Sequence, residues 1–84
     1  MPYSLDFSKQ AFKELEKIND PFYSKIKEAI FNLTHDARPN GYKKLKGRDG
    51  YRIRIGNYRV IYDIFDNELK IEIITLGHRK DIYE

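Results

Sequence analysis

Apolar and polar positions alternate at the start of the chain, where Tyr3, Leu5 and Phe7 are interleaved with Ser4 and Asp6, and period two predicts a short strand. The period then lengthens. Ala11, Phe12, Leu15 and Ile18 fall on one helical stripe, Ser8 stands where an N-cap is needed, and Phe7 and Phe12 are spaced as a hydrophobic staple. Asn19-Asp20 breaks that helix. Asp20 caps a second one, with Pro21 at its first position, where the missing N–H costs nothing. Phe22, Ile26, Ala29, Ile30 and Leu33 form its apolar stripe. So short a connection predicts an antiparallel helical hairpin.

The stretch "HDARPNGYKKLKGRDG" is turn-rich and basic; Leu45 is expected to pin it to the core while Lys43, Lys44, Lys46 and Arg48 stay solvated. Three β-rich runs follow, over residues 51–55, 58–65 and 69–76, separated by Gly56-Asn57 and Asp66-Asn67. Two hairpin signals in succession predict an antiparallel meander. The order β-α-α-β-β-β is that of an α+β domain spanning residues 1–84, with a helical hairpin on one face of a mainly antiparallel sheet.

A two-residue loop at Gly56-Asn57 sets Ile55 against Tyr58, Arg54 against Arg59, Ile53 against Val60 and Tyr51 against Tyr62. Directly opposed residues share a face. One face then carries Tyr51, Ile53, Ile55, Tyr58, Val60, Tyr62 and Ile64. Reading Asp66-Asn67 in the same way adds Leu69, Ile71 and Ile73. That apolar surface is the seat for the helices. The other face carries Arg52, Arg54, Arg59, Asp63, Lys70 and Glu72, with Ile61, Phe65, Ile74 and Leu76 among them. Setting Arg54 across from Arg59 costs about 0.2–1 kcal/mol, which Asp63 and Glu72 are expected to relieve. A solvated charged face and an anion site both fit this pattern, since the planar fork of arginine suits phosphate.

Eighty-four residues make one domain, and the absence of cysteine excludes disulfides and thiolate metal sites. His35 and His78 are too far apart in sequence to argue for a metal, and no cofactor is expected. The N-terminus lacks a signal-peptide pattern and no apolar run reaches membrane-spanning length, so a soluble cytoplasmic protein is expected. Net charge is only +3, but residues 38–59 hold eight Lys or Arg against a single acid, Asp49. That surface favours a polyanionic partner. His78 has the chemistry of a general base near neutral pH, and Tyr83 stands one residue from the end, where a docked aromatic is the ordinary reading.

"KKLKGRDGYRIRIGNYRVIYDI", followed by "ITLGHRKDIY", resembles the RelE branch of the RelE/ParE toxin superfamily. The resemblance covers the entire chain and is densest from Lys44 to Tyr83. It implies a RelE-like microbial RNase fold, a cognate antitoxin that wraps the toxin in a hetero-oligomer, and action on mRNA in the ribosomal A site without a metal. In that family the message's own 2′-hydroxyl attacks the adjacent phosphate, and the resemblance implies the same products here, a 2′,3′-cyclic phosphate and a 5′-hydroxyl. The family's active positions fall on Arg52, Arg54, Arg59, Arg79 and Tyr83, and Lys43, Lys44, Lys46 and Arg48 would grip RNA. Arginine at 52 and 54 departs from the lysines of well-studied relatives and cannot serve as the base. Either Tyr83, or else His78, takes that role, or catalysis is mostly positioning and charge stabilisation. Two other readings are a non-enzymatic ParE-like toxin acting on DNA gyrase and a catalytically inert antitoxin-binding domain.

Overall fold

The computed structural model describes residues 2–78 and 80. Its elements are β1 (Ser4–Phe7), α1 (Lys9–Glu16), α2 (Phe22–Asn32), β2 (Lys43–Lys44), β3 (Tyr51–Ile55), β4 (Tyr58–Phe65), a 3₁₀ turn (Asp66–Glu68) and β5 (Lys70–His78). They form an α+β fold with one five-stranded sheet in the order β1-β5-β4-β3-β2. Only β1 and β5 run parallel. The two-residue β2 is a strand beyond the expected order. It pairs Lys43 with Arg52 and Lys44 with Tyr51.

Local chemistry fixes the helix ends. Ser8 Oγ accepts from Ala11 N at 3.0 Å, and the Phe7 and Phe12 rings meet edge-on at 6.5 Å, closing the staple. The second helix begins at Phe22, one residue later than expected, with Pro21 just ahead of it. The Asp20 carboxylate accepts from Ser24 Oγ at 2.6 Å and Ser24 N at 2.9 Å. The core joins Ala11, Leu15, Ile26, Ile30 and Leu33 of the helices to Ile53, Val60, Tyr62, Ile71 and Ile73 of the sheet. Tyr62 is fully buried, and its phenol donates to Ala37 O at 2.8 Å; burial pushes its pKa up.

The β4–β5 connection departs from the expected register in two ways. First, Phe65 pairs with Lys70, so the loop holds residues 66–69 rather than two residues. Leu69 sits in that turn at φ 50° and is exposed, not part of the apolar sheet face. A shift by an even number of residues keeps Ile71 and Ile73 on the helix side. Second, Tyr62 pairs with Ile73 but Ile61 pairs with Thr75, leaving Ile74 as the extra residue of a β-bulge.

The bulge turns Leu76 from the outer face, where strict alternation would put it, into the core, where it is 0% exposed. Burying a leucine contributes about 1.5–3 kcal/mol, which favours the bulge over a regular strand. Helix α1 satisfies the polar groups that the bulge displaces. Glu14 Oε1 accepts from Thr75 Oγ1 at 2.8 Å and from Leu76 N at 3.1 Å. Ser8 Oγ donates to Ile74 O at 2.7 Å, and Gln10 Nε2 donates to Thr75 Oγ1 at 3.1 Å.

Candidate functional site

The β3–β4 hairpin fixes the arginines. Gly56 takes φ 58° while Asn57 stays out of the left-handed region, the pattern of a two-residue type II′ turn. Ile55 therefore pairs with Tyr58, Arg54 with Arg59, Ile53 with Val60 and Arg52 with Ile61. The apolar members of these strands that pack with the helices are Tyr51, Ile53, Ile55, Tyr58, Val60, Tyr62 and Ile64. All three arginines thus stand on the face away from the helices, as the even loop requires.

Their surroundings differ. Arg54 is exposed and Arg59 half-buried, whereas Arg52 is buried at 4% exposure. The expectation of a wholly solvated outer wall is corrected at Arg52. That residue lies between Lys43 of β2 and Ile61 of β4, and Ile61 is covered by Leu45, which packs with Ile61 and Ile74 as a second small core. Leu45 pins the basic loop as expected, but onto the arginine face. Across from Arg59 on its other side lies Gly77, which contributes no side chain.

Asp63 and Glu72 do not relieve the Arg54–Arg59 pair. They pair with each other across β4 and β5, and Glu72 pairs in turn with Asp6 of β1. Four residues separate Asp63 from Arg59 along β4, about 13 Å at the rise of an extended strand. The outer face is therefore polar in the electrical sense, with an acidic row at one end and arginines at the other. Lys43 shares the arginine face through its pairing with Arg52. Lys44 instead stands opposite Tyr51, whose ring lies 6.0 Å from Tyr42 and 5.9 Å from Tyr62. Lys43, Lys44, Lys46 and Arg48 are all exposed.

His78 ends β5 directly opposite Tyr58, and their rings meet edge-on at 5.7 Å. Tyr58 packs toward the helices, so His78 points to the side opposite Arg54 and Arg59. Its Nδ1 also accepts from Lys80 N at 3.3 Å. Both facts count against His78 as the base. Arg79 and Tyr83 lie outside the described residues.

Arg38, counted in the basic stretch, is tied into a structural cluster instead. Its guanidinium bonds the Asp66 carboxylate at 3.0 Å and lies 5.8 Å from the centre of the Tyr51 ring. Tyr3 donates its phenol proton to Asp66 at 2.6 Å. Arg38 and then Tyr3 hold the Asp66 carboxyl below its ordinary value, and Ser24 does the same for Asp20 through its hydroxyl and N–H. The folded chain thus binds fewer protons at these two sites than the unfolded chain does. Their stabilisation is present in full above the ordinary carboxylate value of 3.8 and is lost as pH falls through the lower folded values. Denaturant midpoints measured from pH 6 down to pH 2.5 are expected to fall in that window. R38A flattens the fall by removing the larger influence on Asp66.

Residues 5–83 match the family described as the ParE toxin of the type II toxin–antitoxin system parDE. The chain is 29% identical over 83 residues to the mRNA interferase toxin RelE of Escherichia coli, covering 95% of this chain and 86% of that one. The archaeal RelE–RelB complex from Pyrococcus horikoshii contains a chain that superposes with a TM-score of 0.84 at 31% identity, covering 98% of this chain and 100% of that one. The intact E. coli RelBE toxin–antitoxin complex matches at a TM-score of 0.79 and 28% identity, covering 90% of this chain and 95% of the other. A domain whose strand order and length agree with these toxins along the whole chain, and whose sequence matches the family from β1 onward, belongs to the RelE/ParE toxin family of type II toxin–antitoxin systems.

Proposed function

We propose that this toxin is a ribosome-dependent endoribonuclease that cuts mRNA by attack of the RNA's own 2′-hydroxyl, giving 2′,3′-cyclic phosphate and 5′-hydroxyl ends. The observation that carries the reading is the cross-strand pairing of Arg54 with Arg59 on the sheet face opposite the helices. Two guanidinium forks so placed suit a pentacovalent phosphorane, which gathers negative charge on its non-bridging oxygens. The likeness to an mRNA interferase supports the same chemistry.

Arg54 and Arg59 stabilise the phosphorane in this reading. Arg52, buried beside them, adds positive potential and fixes the hairpin surface more than it touches solvent-borne RNA. Arg79 neutralises or protonates the leaving 5′-oxygen, and Tyr83 stacks on a base or orients the attacking hydroxyl; these two roles rest on the family resemblance alone. With arginine at 52 and 54, proton removal falls to Tyr83 or to water, and the rate is expected to be below that of relatives bearing lysine there. The partners are the ribosome with its message and a cognate antitoxin, which holds the toxin in a hetero-oligomer in the cytoplasm. Solved relatives contain RelB antitoxins.

Lys43 shares the arginine face, Lys46 and Arg48 are exposed in the loop that Leu45 pins to that face, and in this reading all three bind RNA phosphates through counterion release. For single-stranded RNA the logarithm of affinity falls against the logarithm of salt with a slope of about −0.7 per phosphate contacted. Each of K43A, K46A and R48A is therefore expected to make the slope shallower by roughly that amount, measured by titration across 50–300 mM salt. An unchanged slope in all three variants removes the loop from the interface.

The activity itself is tested by adding purified toxin to ribosomes programmed with a defined message and mapping the new ends. Cuts within the A-site codon support the nuclease. Intact message together with trapped gyrase–DNA complexes supports the gyrase-directed alternative, and intact message with no gyrase effect leaves an antitoxin-binding domain.

A further inference from the structure

Arg54 stands at an opening in the edge of the sheet. The edge strand β2 covers β3 only at Tyr51 and Arg52. Continued toward its N-terminus, β2 would set Gly41 opposite Arg54. Instead residues 39–42 form a turn, in which Tyr42 N donates to Pro39 O at 3.0 Å and Gly41 takes φ 88°.

The hairpin fixes the backbone direction at Arg54. Residues that close a two-residue loop bond each other, so Ile55, Ile53 and Tyr51 turn N–H and C=O toward β4. Arg52 and Arg54 turn theirs the other way, and the bond from Leu45 N to Gly50 O at 3.0 Å agrees with that parity. Among the described residues, no loop or side-chain group bonds the Arg54 backbone on its outward side.

Beside this stretch lies a cavity of about 280 Å³ between α2 and β3, lined by apolar Ala29, Leu33, Ile53 and Ile55 and by polar residues that include Asp36. An unpaired strand residue next to an apolar cavity suits an extended peptide, whose main chain bonds the edge while a side chain fills the cavity. Charge selects the peptide. Arg54 is exposed, and residues 38–59 hold eight Lys or Arg against one acid. A partner residue opposite Arg54 shares its face, and the next one, opposite Ile55, points toward the cavity. A carboxylate beside an aliphatic side chain meets both demands. RNA fits less well, because Asp36 repels phosphate and the apolar lining offers no aromatic face for a base.

We propose that the open edge of β3 at Arg54 takes an extended acidic–aliphatic segment of the cognate antitoxin, which adds a short strand, fills the cavity and sets a carboxylate on Arg54. Seated there, the segment withdraws Arg54 from phosphate and silences the toxin at its own site. The partner's identity and the silencing rest on the proposed function; the peptide-binding edge does not.

A capped synthetic peptide of alternating glutamate and leucine, added at millimolar concentration to the isotope-labelled toxin, tests the site by NMR hydrogen exchange. In the free toxin the Arg54 amide is expected to exchange far faster than those of Ile53 and Ile55, and the peptide is expected to slow it. A29L, which fills the cavity from α2, weakens peptide binding by about ten- to a hundredfold, the worth of one buried aliphatic side chain. Peptides with lysine for glutamate, or with methylated backbone nitrogens, bind less tightly than the parent. The cognate antitoxin leaves A29L faster than it leaves the wild type, while A29L cuts message at the wild-type rate.

A slowly exchanging Arg54 amide in the free toxin overturns the proposal, as does a peptide that fails to slow it. Equal peptide affinity for A29L and wild type does the same; if A29L does not fold, undiminished binding of the methylated peptide decides in its place. Protection of Arg54 by a 2′-O-methyl RNA oligonucleotide and not by the peptide assigns the edge to RNA. Equal antitoxin dissociation from A29L and wild type removes the antitoxin from it. Message left intact on the ribosome overturns the nuclease reading alone, because peptide and antitoxin binding are measured without cleavage.

Discussion

Arg59→Ala is expected to slow single-turnover message cleavage on the ribosome by about 10²–10³-fold, the loss that follows removal of one preorganised donor from a developing anion. The expectation comes from placement. Arg59 sits on the central strand β4, between Arg54 on one neighbour and Gly77 on the other, and is half-buried. A guanidinium held in that way does not have to reorganise when charge builds on the phosphate. Arg54 is exposed, so water screens its charge more, and Arg54→Ala is expected to cost less activity than Arg59→Ala. Arg54→Ala should also raise the unfolding free energy by about 0.2–1 kcal/mol, because it removes a like-charged cross-strand pair. Activity and stability moving in opposite directions in one variant is the signature of a residue kept for chemistry. Equal cleavage rates for Arg59→Ala and wild type would remove the arginine pair from the mechanism.

Leu76→Ala is expected to destabilise the domain by about 2–5 kcal/mol, as large-to-small changes in a fully packed core do. For a chain of 84 residues, with stability on the order of 5–10 kcal/mol, that loss removes a large share of the total. The contrasting variant is Leu69→Ala. Leu69 lies in the turn before β5 and is exposed, so its loss is expected to fall within about 0.5 kcal/mol. Strict alternation from the Asp66-Asn67 turn assigns the two leucines the other way round, with Leu69 inside and Leu76 outside. Urea melts of the two variants therefore report directly on the bulge. Similar midpoints for both would mean that β5 runs without it.

The hairpin that carries the arginines was legible because Gly56-Asn57 is a strong two-residue turn signal, and an even loop fixes which residues share a face. The helix stripes and the Ser8 cap were legible for similar local reasons. The register of β5 was not. Asp66-Asn67 has the composition of a tight turn but sits in a one-turn 3₁₀ segment, and that choice depends on Asp66 reaching Arg38 and Tyr3, which are remote in sequence. The bulge has a faint trace in "IEIITL", where Ile73 and Ile74 are adjacent and Leu76 then falls out of step with Ile71 and Ile73. Only the carboxylate of Glu14, supplied from another element, turns that trace into a definite geometry.

The site was legible in part for the same reason. Side and pairing of Arg52, Arg54 and Arg59 follow from parity, which is local. Burial of Arg52 follows from β2 and from Leu45 folding back over Ile61, and the two lysines of β2 carry no alternation that announces a strand. The direction of His78 likewise depends on the bulge, since one extra residue in β5 reverses the face of everything after it. Residues that serve the site from a distance, Glu14 above all, have no motif. They are recognisable only once the strand they hold is in view.

The most direct measurement of the central claim uses two messages on the ribosome, identical except that one carries a single 2′-deoxynucleotide on the 5′ side of the mapped cut. The account predicts cleavage of the all-ribose message with a 2′,3′-cyclic phosphate left behind, no cleavage at the deoxy-substituted bond, and loss of cutting in Arg59→Ala. Cleavage of the deoxy-substituted bond at an undiminished rate would contradict attack by the RNA's own hydroxyl, and with it the function assigned to the paired arginines.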